Sequence, residues 1–312
     1  MKIGFCGSGV FAADCLVRIS QKIKPEWVIT NAPRPAGRGL KLKPTEVSIE
    51  AEKLGIECKT TERLSSDMEL LSWVSQNCPD VILVIDFGHM VKEPFLSMPT
   101  FGCLNIHPSR LPQYRGSAPV QTAIMNGDAS TAVSIFRLDA GMDSGPLLSQ
   151  MEVAIDMKDD TSALLAKCAA AGANELLRLL YDVPVEKWQL TKQKEEGVSY
   201  APKIEKSQGR IDWNKSSSEI YNLIRAIGET TGTYCFVNGK RLRIHKTEIS
   251  QHSGCASEIL ALDCGMPIVG CGKGSLKLLS VQPEGKKTQS ADEWFRGSRM
   301  KTGDILGLEE VR

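Results

Sequence analysis

The sequence predicts an α/β chain in two parts: a mostly parallel sheet with flanking helices over residues 1–183, and a smaller antiparallel barrel or sandwich over residues 207–312, joined by a linker at 184–206. Three observations carry this expectation. Strand-length apolar runs alternate with helix-period stretches through the first part, the pattern of successive βαβ units. Val81-Ile82-Leu83-Val84-Ile85 is apolar throughout and rich in β-branched residues, as a parallel strand buried on both faces must be. Beyond residue 206 the pattern changes to short alternating runs separated by turns, which marks an all-antiparallel unit.

In chain order, residues 2 to 5 form a short strand ending in Gly7-Ser8-Gly9, and Val10 to Ile19 follow at helical spacing. The string GSGVFA fits the dinucleotide fingerprint G-x-G-x-x-A. The next strand, Trp27-Val28-Ile29-Thr30, argues against that use, because no Asp or Glu stands at its end to hold a ribose. Residues 31 to 47 are a Pro- and Gly-rich loop carrying Arg34, Arg38, Lys41 and Lys43 with no acidic residue before Glu46. Such a loop is either solvated surface or a contact for a phosphate backbone. A helix over Glu46 to Leu54, a short edge strand at Ile56 to Cys58 and a helix over Leu64 to Gln76 lead to the central strand at Val81 to Ile85. In open parallel sheets ligands sit outside the carboxyl ends of the strands, so Asp86 to Met90 should border a site. A helix at Val120 to Met125, strands at Ala132 to Leu138 and Leu147 to Ile155, and a long helix from Thr161 to Tyr181 complete the first part. The linker carries Pro184, Pro202 and the charged run Lys192 to Glu196. In the second part a helix at Ser217 to Ile227 precedes strands at Tyr234 to Val237, Leu242 to Ile244, Ile259 to Leu262, Pro267 to Cys271 and Leu276 to Val281. Its Asn238-Gly239 turn sits beside Lys240, Arg241, Arg243 and Lys246, a charged hairpin that serves either solubility or binding.

Composition narrows the function classes. A chain of 312 residues, 42% hydrophobic, can bury at least one full core. A formal net charge of +1 leaves nucleic-acid contact only as a local property. Ten cysteines lie scattered without CxxC pairs, in a chain that opens MKIGFCG without a signal peptide, and read as reduced thiols of a cytoplasmic protein. No apolar run approaches the roughly 20 residues of a bilayer-spanning helix, so a membrane protein is excluded.

The chemistry concentrates in FGCLNIHPSRLPQYRGSAPVQ, residues 101 to 121. Asn105 and His107 stand two apart, so on a strand they share a face, and Pro108 ends that strand. Alone, His107 could be an ordinary hydrogen-bonded histidine. If the sheet brings it beside the turn Asp139-Ala140-Gly141-Met142-Asp143, an amide, an imidazole and a carboxylate gather with no Ser or Cys nucleophile among them. That set suits direct acyl transfer to an amine. Asn105 would donate to a developing oxyanion, His107 would polarise or protonate the same oxygen, and Asp143 would orient the imidazole. Zinc is the competing use of His and Asp, but His89 is the only further imidazole at hand, and no metal is expected.

These residues carry a resemblance. FGCLNIHPSRLPQYRGSAPVQ followed by LDAGMDSGPLL resembles the folate-dependent formyltransferases, and RPAGRGLKLKP, YAPKIEKSQGRIDW and VQPEGKKTQSADEWFRGSRMKTGDILG resemble the branch that acts on methionyl-tRNA. The resemblance implies a Rossmann-like catalytic domain followed by a barrel similar to an OB fold. It implies a formyl group moved from 10-formyltetrahydrofolate to the amine of initiator methionyl-tRNA, by a monomer, with Asn105, His107 and Asp143 as catalytic residues. Folate would contact Phe87, Gly88, His89, Met90, Ser109, Leu111, Pro112, Asp139 and Gly141. The tRNA would contact Arg34, Arg38, Lys41, Lys43, Arg241 and Arg243. A sugar-amine formyltransferase and a non-catalytic RNA-binding relative remain alternatives. Asp86-Phe87-Gly88-His89 stands where the family carries a small residue and Tyr-Gly, which sets a charge and an imidazole near the expected folate pocket, and Arg110 stands where the family carries an apolar residue.

Overall fold

The structure is a computed structural model that describes residues 1–36 and 41–307; Arg38 lies outside the described residues. The chain forms two compact units. The first comprises Met1–Pro119, Ser130–Ala154 and Ser162–Pro202; the second comprises Val120–Ala129, Ile155–Thr161 and the chain from Lys203 onward.

The strands in chain order are β1 (Ile3–Gly7), β2 (Trp27–Asn31), β3 (Arg34–Ala36), β4 (Lys41–Lys43), β5 (Cys58–Thr61), β6 (Val81–Ile85), β7 (Cys103–His107), β8 (Ser130–Arg137) and β9 (Leu147–Ala154). Seven of them form one sheet in the order β5-β2-β1-β6-β7-β8-β9. Pairing is parallel from β5 to β7 and antiparallel for β8 and β9, so the sheet is mostly parallel as expected. Every residue of β1 and of β6 is buried, which explains why neither strand alternates in polarity. Helices α1 (Val10–Ser20), α2 (Glu46–Lys53), α3 (Met68–Gln76) and α5 (Thr161–Asp182) belong to this unit, while α4 (Pro119–Asn126) falls almost wholly in the second. Cys6, Trp27, Ile29, Leu70, Val74, Ile82 and Val84 share one core cluster.

Local signals explain most boundaries. The Thr45 hydroxyl accepts from Ser48 N at 3.1 Å and caps α2. The helix expected from Leu64 is broken: a 3-10 turn covers Leu64–Ser66, and α3 starts only after Asp67, whose carboxylate caps it through Leu70 N at 3.1 Å. The edge strand lies at Cys58–Thr61 rather than at residues 56–58, because the Thr-rich stretch supplies the pairing with β2.

Residues 184–202 of the expected linker carry tertiary contacts within the first unit. Ala201 and Gln193 are buried, and bridges join Arg115 to Tyr200 and Leu147 to Thr191. The physical reason is that this segment supplies hydrogen-bond partners to two loops, as described below.

The second unit contains α6 (Ser217–Ile227), then β10 (Thr233–Val237), β11 (Lys240–Ser250), β12 (Ile259–Asp263), β13 (Met266–Gly270), β14 (Ser275–Pro283), β15 (Gln289–Ser290) and α7 (Ala291–Ser298). Its antiparallel ladder runs β10-β11-β14-β13-β12, with β15 on β14. β11 is longer than the expected Leu242–Ile244 because register irregularities beside His245 let it continue to Ser250. Trp213, Ile220, Ile224, Ile244, Val269, Leu276 and Leu278 fill the core, and Ser216 with Glu219 forms a capping box on α6. Among the described residues, no helix is long and apolar enough to cross a membrane.

Candidate active site

β7 delivers Asn105 and His107 to its carboxyl end, and the β8–β9 loop brings Asp143 to the same place. His107 is 6% exposed and its Nδ1 stands 3.8 Å from Asp143 Oδ2. Its Nε2 lies 3.0 Å from the Tyr114 carbonyl. Both ring nitrogens therefore face oxygen, and a neutral ring can donate to only one of them. The same Asp143 oxygen accepts from Gly116 N at 2.8 Å. Asn105 Oδ1 is enclosed and has no partner within the protein. A buried amide oxygen left this way costs free energy unless water or a ligand answers it, and it fits a donor carried by a bound substrate.

The surrounding backbone takes conformations that fix these positions. Tyr114 has φ +58° and Asp143 φ +49°, both in the left-handed region that non-glycine residues seldom occupy. In the β8–β9 turn, Asp139 Oδ1 accepts from Gly141 N at 3.0 Å and from Ser144 Oγ at 2.8 Å. A Cβ on Gly145 would overlap the Arg137 carbonyl, so only glycine closes this turn.

Ser109 and Leu111 are buried, and their polar atoms are engaged inside the protein. Ser109 Oγ donates to Gln113 O at 2.7 Å, and Ser134 Oγ donates to Ser109 O at 2.6 Å. Leu111 N donates to Ser134 Oγ at 3.2 Å, while Gln150 Nε2 reaches both Leu111 O and that hydroxyl. Pro112 offers its carbonyl to Ser199 N at 3.3 Å. Arg110 reaches Glu152 Oε1 on β9 at 2.8 Å, so its departure from the family pattern is met by a surface ion pair.

The stretch after β6 lies where the strand order reverses, between β1 and β6, the usual crevice of an open α/β sheet. Ser8 N and Gly9 N both donate to Asp86 O, tying the two loops together. Asp86 keeps exposed surface, yet a Cβ on Gly9 would overlap its carboxylate. Burial of that carboxyl, with a smaller push from Glu46, raises its pKa to about 6. Phe87 is buried with its ring 4.9 Å from that of His89, and Gly88 has φ +75°. His89 Nε2 is enclosed without a partner; burial first, and then the Arg34 charge, lowers the pKa of this histidine. Met90 is exposed.

The described part of the basic loop is a ribbon. Arg34 faces Lys43 and Ala36 faces Lys41 across an antiparallel pair, with Leu42 69% exposed. Lys43 pairs with Glu46 at 2.9 Å. In the second unit the Arg241 guanidinium sits 3.9 Å over the Tyr234 ring, and Arg243 stands opposite Tyr234 across β10 and β11. Among the described residues, no group of three or more His, Cys, Asp or Glu side chains is placed to hold a metal ion. The residues that sequence reasoning missed are Gln193, Ser199, Ser134 and Gln150. None belongs to a recognisable pattern, and Gln193 sits in a charged run that reads as linker.

Residues 1–180 match the profile of the formyl transferase family and residues 203–299 that of the formyl transferase C-terminal domain. The methionyl-tRNA formyltransferase of Paracoccus denitrificans (strain Pd 1222) is 35% identical over 297 residues, covering 95% of this chain and 97% of the relative. That of Geobacter metallireducens is 33% identical over 308 residues, covering 98% and 99%. Among solved structures, the sugar 3N-formyl transferase WlaRD superposes with TM-score 0.64 at 20% identity, covering 92% of this chain and 99% of the other. Methionyl-tRNA formyltransferase from Clostridium thermocellum gives TM-score 0.57 at 16% identity, covering 80% and 94%. At these identities the structures establish the fold alone.

Proposed function

Because the chain belongs to the formyl transferase family, we propose that it moves a formyl group from 10-formyltetrahydrofolate to the α-amino group of methionine on initiator tRNA, as a monomer in the cytoplasm. The observation that carries this reading is the convergence of His107, Asp143 and the unanswered Asn105 oxygen at one strand end. Ser109 is buried and its hydroxyl is committed to Gln113. The Cys103 thiol on β7 is pushed up to about 12 by burial, so it supplies almost no thiolate. Transfer is then direct from donor to amine.

The donor supplies the formyl carbon. An α-amino group with a pKa near 8 is partly neutral at pH 7 and attacks that carbon. The new N–C bond forms as the donor's N–C bond breaks, and one proton passes from the incoming nitrogen to the departing one. In this reading Asn105 donates through Nδ2 to the formyl oxygen as it gains charge, and accepts an N–H of the amine at Oδ1. His107, oriented by Asp143, holds or relays the proton through Nε2, which must exchange the Tyr114 carbonyl for a reacting atom. In this reading the loops at 86–90 and 139–141 flank the donor, and Ser109, Leu111 and Pro112 contact it. The β3–β4 ribbon and the Arg241–Arg243 strand offer cations to the RNA backbone, as does Arg38.

The full-length resemblance to methionyl-tRNA formyltransferases supports this acceptor over a nucleotide-linked amino sugar. A transfer assay with formylfolate decides it. Charged initiator tRNA is expected to be formylated and a dTDP-linked amino sugar left untouched; background transfer to tRNA beside formylation of the sugar would reverse the assignment. A relative that only binds RNA would transfer to neither.

A further inference from the structure

The catalytic loop does not hold itself in place. His107 is bonded to Tyr114 O and Asp143 to Gly116 N, so both members of the pair are indexed to one short loop at residues 112–118. That loop is neither helix nor strand, and its backbone groups are answered by a segment far along the chain. Tyr114 N donates to Ser199 Oγ at 3.0 Å and Arg115 N to Ser199 O at 2.9 Å. Ala201 N donates to Arg115 O at 2.8 Å and Ala118 N to Ala201 O at 3.0 Å. Residues 193–201 thus reach the loop as a strap.

Gln193 ties this strap to the second half of the site. It is 5% exposed. Its Oε1 accepts from Arg115 Nε at 3.2 Å and from the Arg115 terminal nitrogen at 2.7 Å. Its Nε2 donates to Asp143 O and to Gly145 O, each at 2.8 Å. The amide uses two acceptor directions and two donor hydrogens, its full capacity. Rotating the amide by half a turn would set its NH2 against the guanidinium and its oxygen against two carbonyls, so one orientation is enforced.

We infer that Gln193 is a positioning residue for formyl transfer: one buried amide sets the spacing between the loop that carries His107's partner Tyr114 and the loop that carries Asp143. This rests on the reading of His107 and Asp143 as the reacting pair. Gln193 touches neither the His107 ring nor the Asp143 carboxylate and acts through backbone. Without it, Arg115 loses its acceptor and the Asp143 turn loses two donors, so the His107–Asp143 separation is free to drift. A misplacement of about 1 Å in a reacting group can lower a rate by about a hundredfold.

The test uses the full chain and two substitutions. Gln193→Leu removes both halves of the clamp. Gln193→Glu keeps an acceptor for Arg115 and replaces the two donors with an oxygen facing two carbonyls. For both, kcat is expected to fall by about tenfold to a hundredfold while KM for formylfolate stays within about threefold. Ser199→Ala, which strips the side-chain partner from Tyr114 N, should lower kcat by less. Circular dichroism and thermal melting accompany each variant. Should Gln193→Leu fail to fold, Gln193→Glu, with Arg115 still paired, gives the answer. A kcat within twofold of the parent in a folded Gln193→Glu protein overturns the inference, as does a loss confined to KM. Adding Gln193→Glu to His107→Ala should cost little more than His107→Ala alone, because both act on one unit; full additivity is a negative result. His107→Ala run alone separates the two ideas. If it keeps parental activity, the catalytic reading fails; if it is inactive while Gln193→Glu is normal, only the positioning role fails.

Discussion

The loop after His107 and the ribbon at Arg34–Lys43 look alike in sequence, both rich in Pro and Gly and both carrying cations. They are built in opposite ways. The first is enclosed: Tyr114 O, Gly116 N, Arg115 and Ala118 all find partners, some from a strap residing far along the chain. The described part of the second pairs mainly with itself and leaves Leu42 exposed. On the proposed function, bond rearrangement beside the first loop depends on angles and distances of a few tenths of an ångström, which its hydrogen bonds would hold. Attraction to phosphate falls slowly with distance, so a charged ribbon needs reach more than rigidity. Similar composition thus serves opposite mechanical needs, and only the partners reveal which.

The sharpest way to test the contrast is His107→Ala, expected to lower kcat by about 10² to 10⁴ with little change in thermal midpoint, read from steady-state kinetics and melting. An effect of that size from any ribbon substitution would erase the distinction. Next comes Ser134→Ala. The hydroxyl answers Leu111 N, Ser109 O and Gln150 in a buried network, so its removal should destabilise the protein by about 1–3 kcal/mol in urea titration. Third, replacing Arg34 and Lys41 by Ala should weaken kcat/KM for tRNA by roughly tenfold and make its salt dependence shallower by about one to two charges, with KM for formylfolate unchanged. Equal losses for both substrates would show that the ribbon is structural.

The smallest effect concerns Asp86. Its pKa is raised in the folded protein to about 6, mainly by burial and then by Glu46. The unfolded chain ionises this carboxyl near the ordinary aspartate value, so folding pays the desolvation penalty increasingly as pH rises toward 6 and fully above it. Asp86→Asn should therefore raise the melting temperature by at most a few degrees at pH 7–8 and leave it unchanged near pH 3.5. The gain should grow between those limits. A shift that is the same at every pH would mean that the charge is not what matters there.

Much of the fold was legible beforehand because it rests on short-range pattern. β6 announced itself by five consecutive apolar residues and α5 by its helical period. The exceptions lie where a single polar side chain overrides periodicity: Asp67 caps α3 and cuts the expected helix. Segment 184–202 read as linker because its contacts are with residues remote in sequence: Gln193 is 78 positions from Arg115 and 50 from Asp143. No local pattern encodes such a pairing.

Asn105, His107 and Asp143 could be grouped as candidates from the sequence because a strand places residues two apart on one face and the turn at Asp139–Asp143 has a recognisable composition. The alternation of strands and helices likewise determined the sheet and the crevice at its carboxyl ends. Only the tertiary structure decided that His107 Nε2 faces a carbonyl, that Asn105 keeps an unanswered oxygen, that Arg110 turns to Glu152, and that a buried glutamine joins Arg115 to the Asp143 turn. Periodicity is set by the backbone of a few neighbouring residues, whereas a buried hydrogen bond is chosen by whichever distant group the fold brings within 3 Å, under the requirement that no buried donor be left alone.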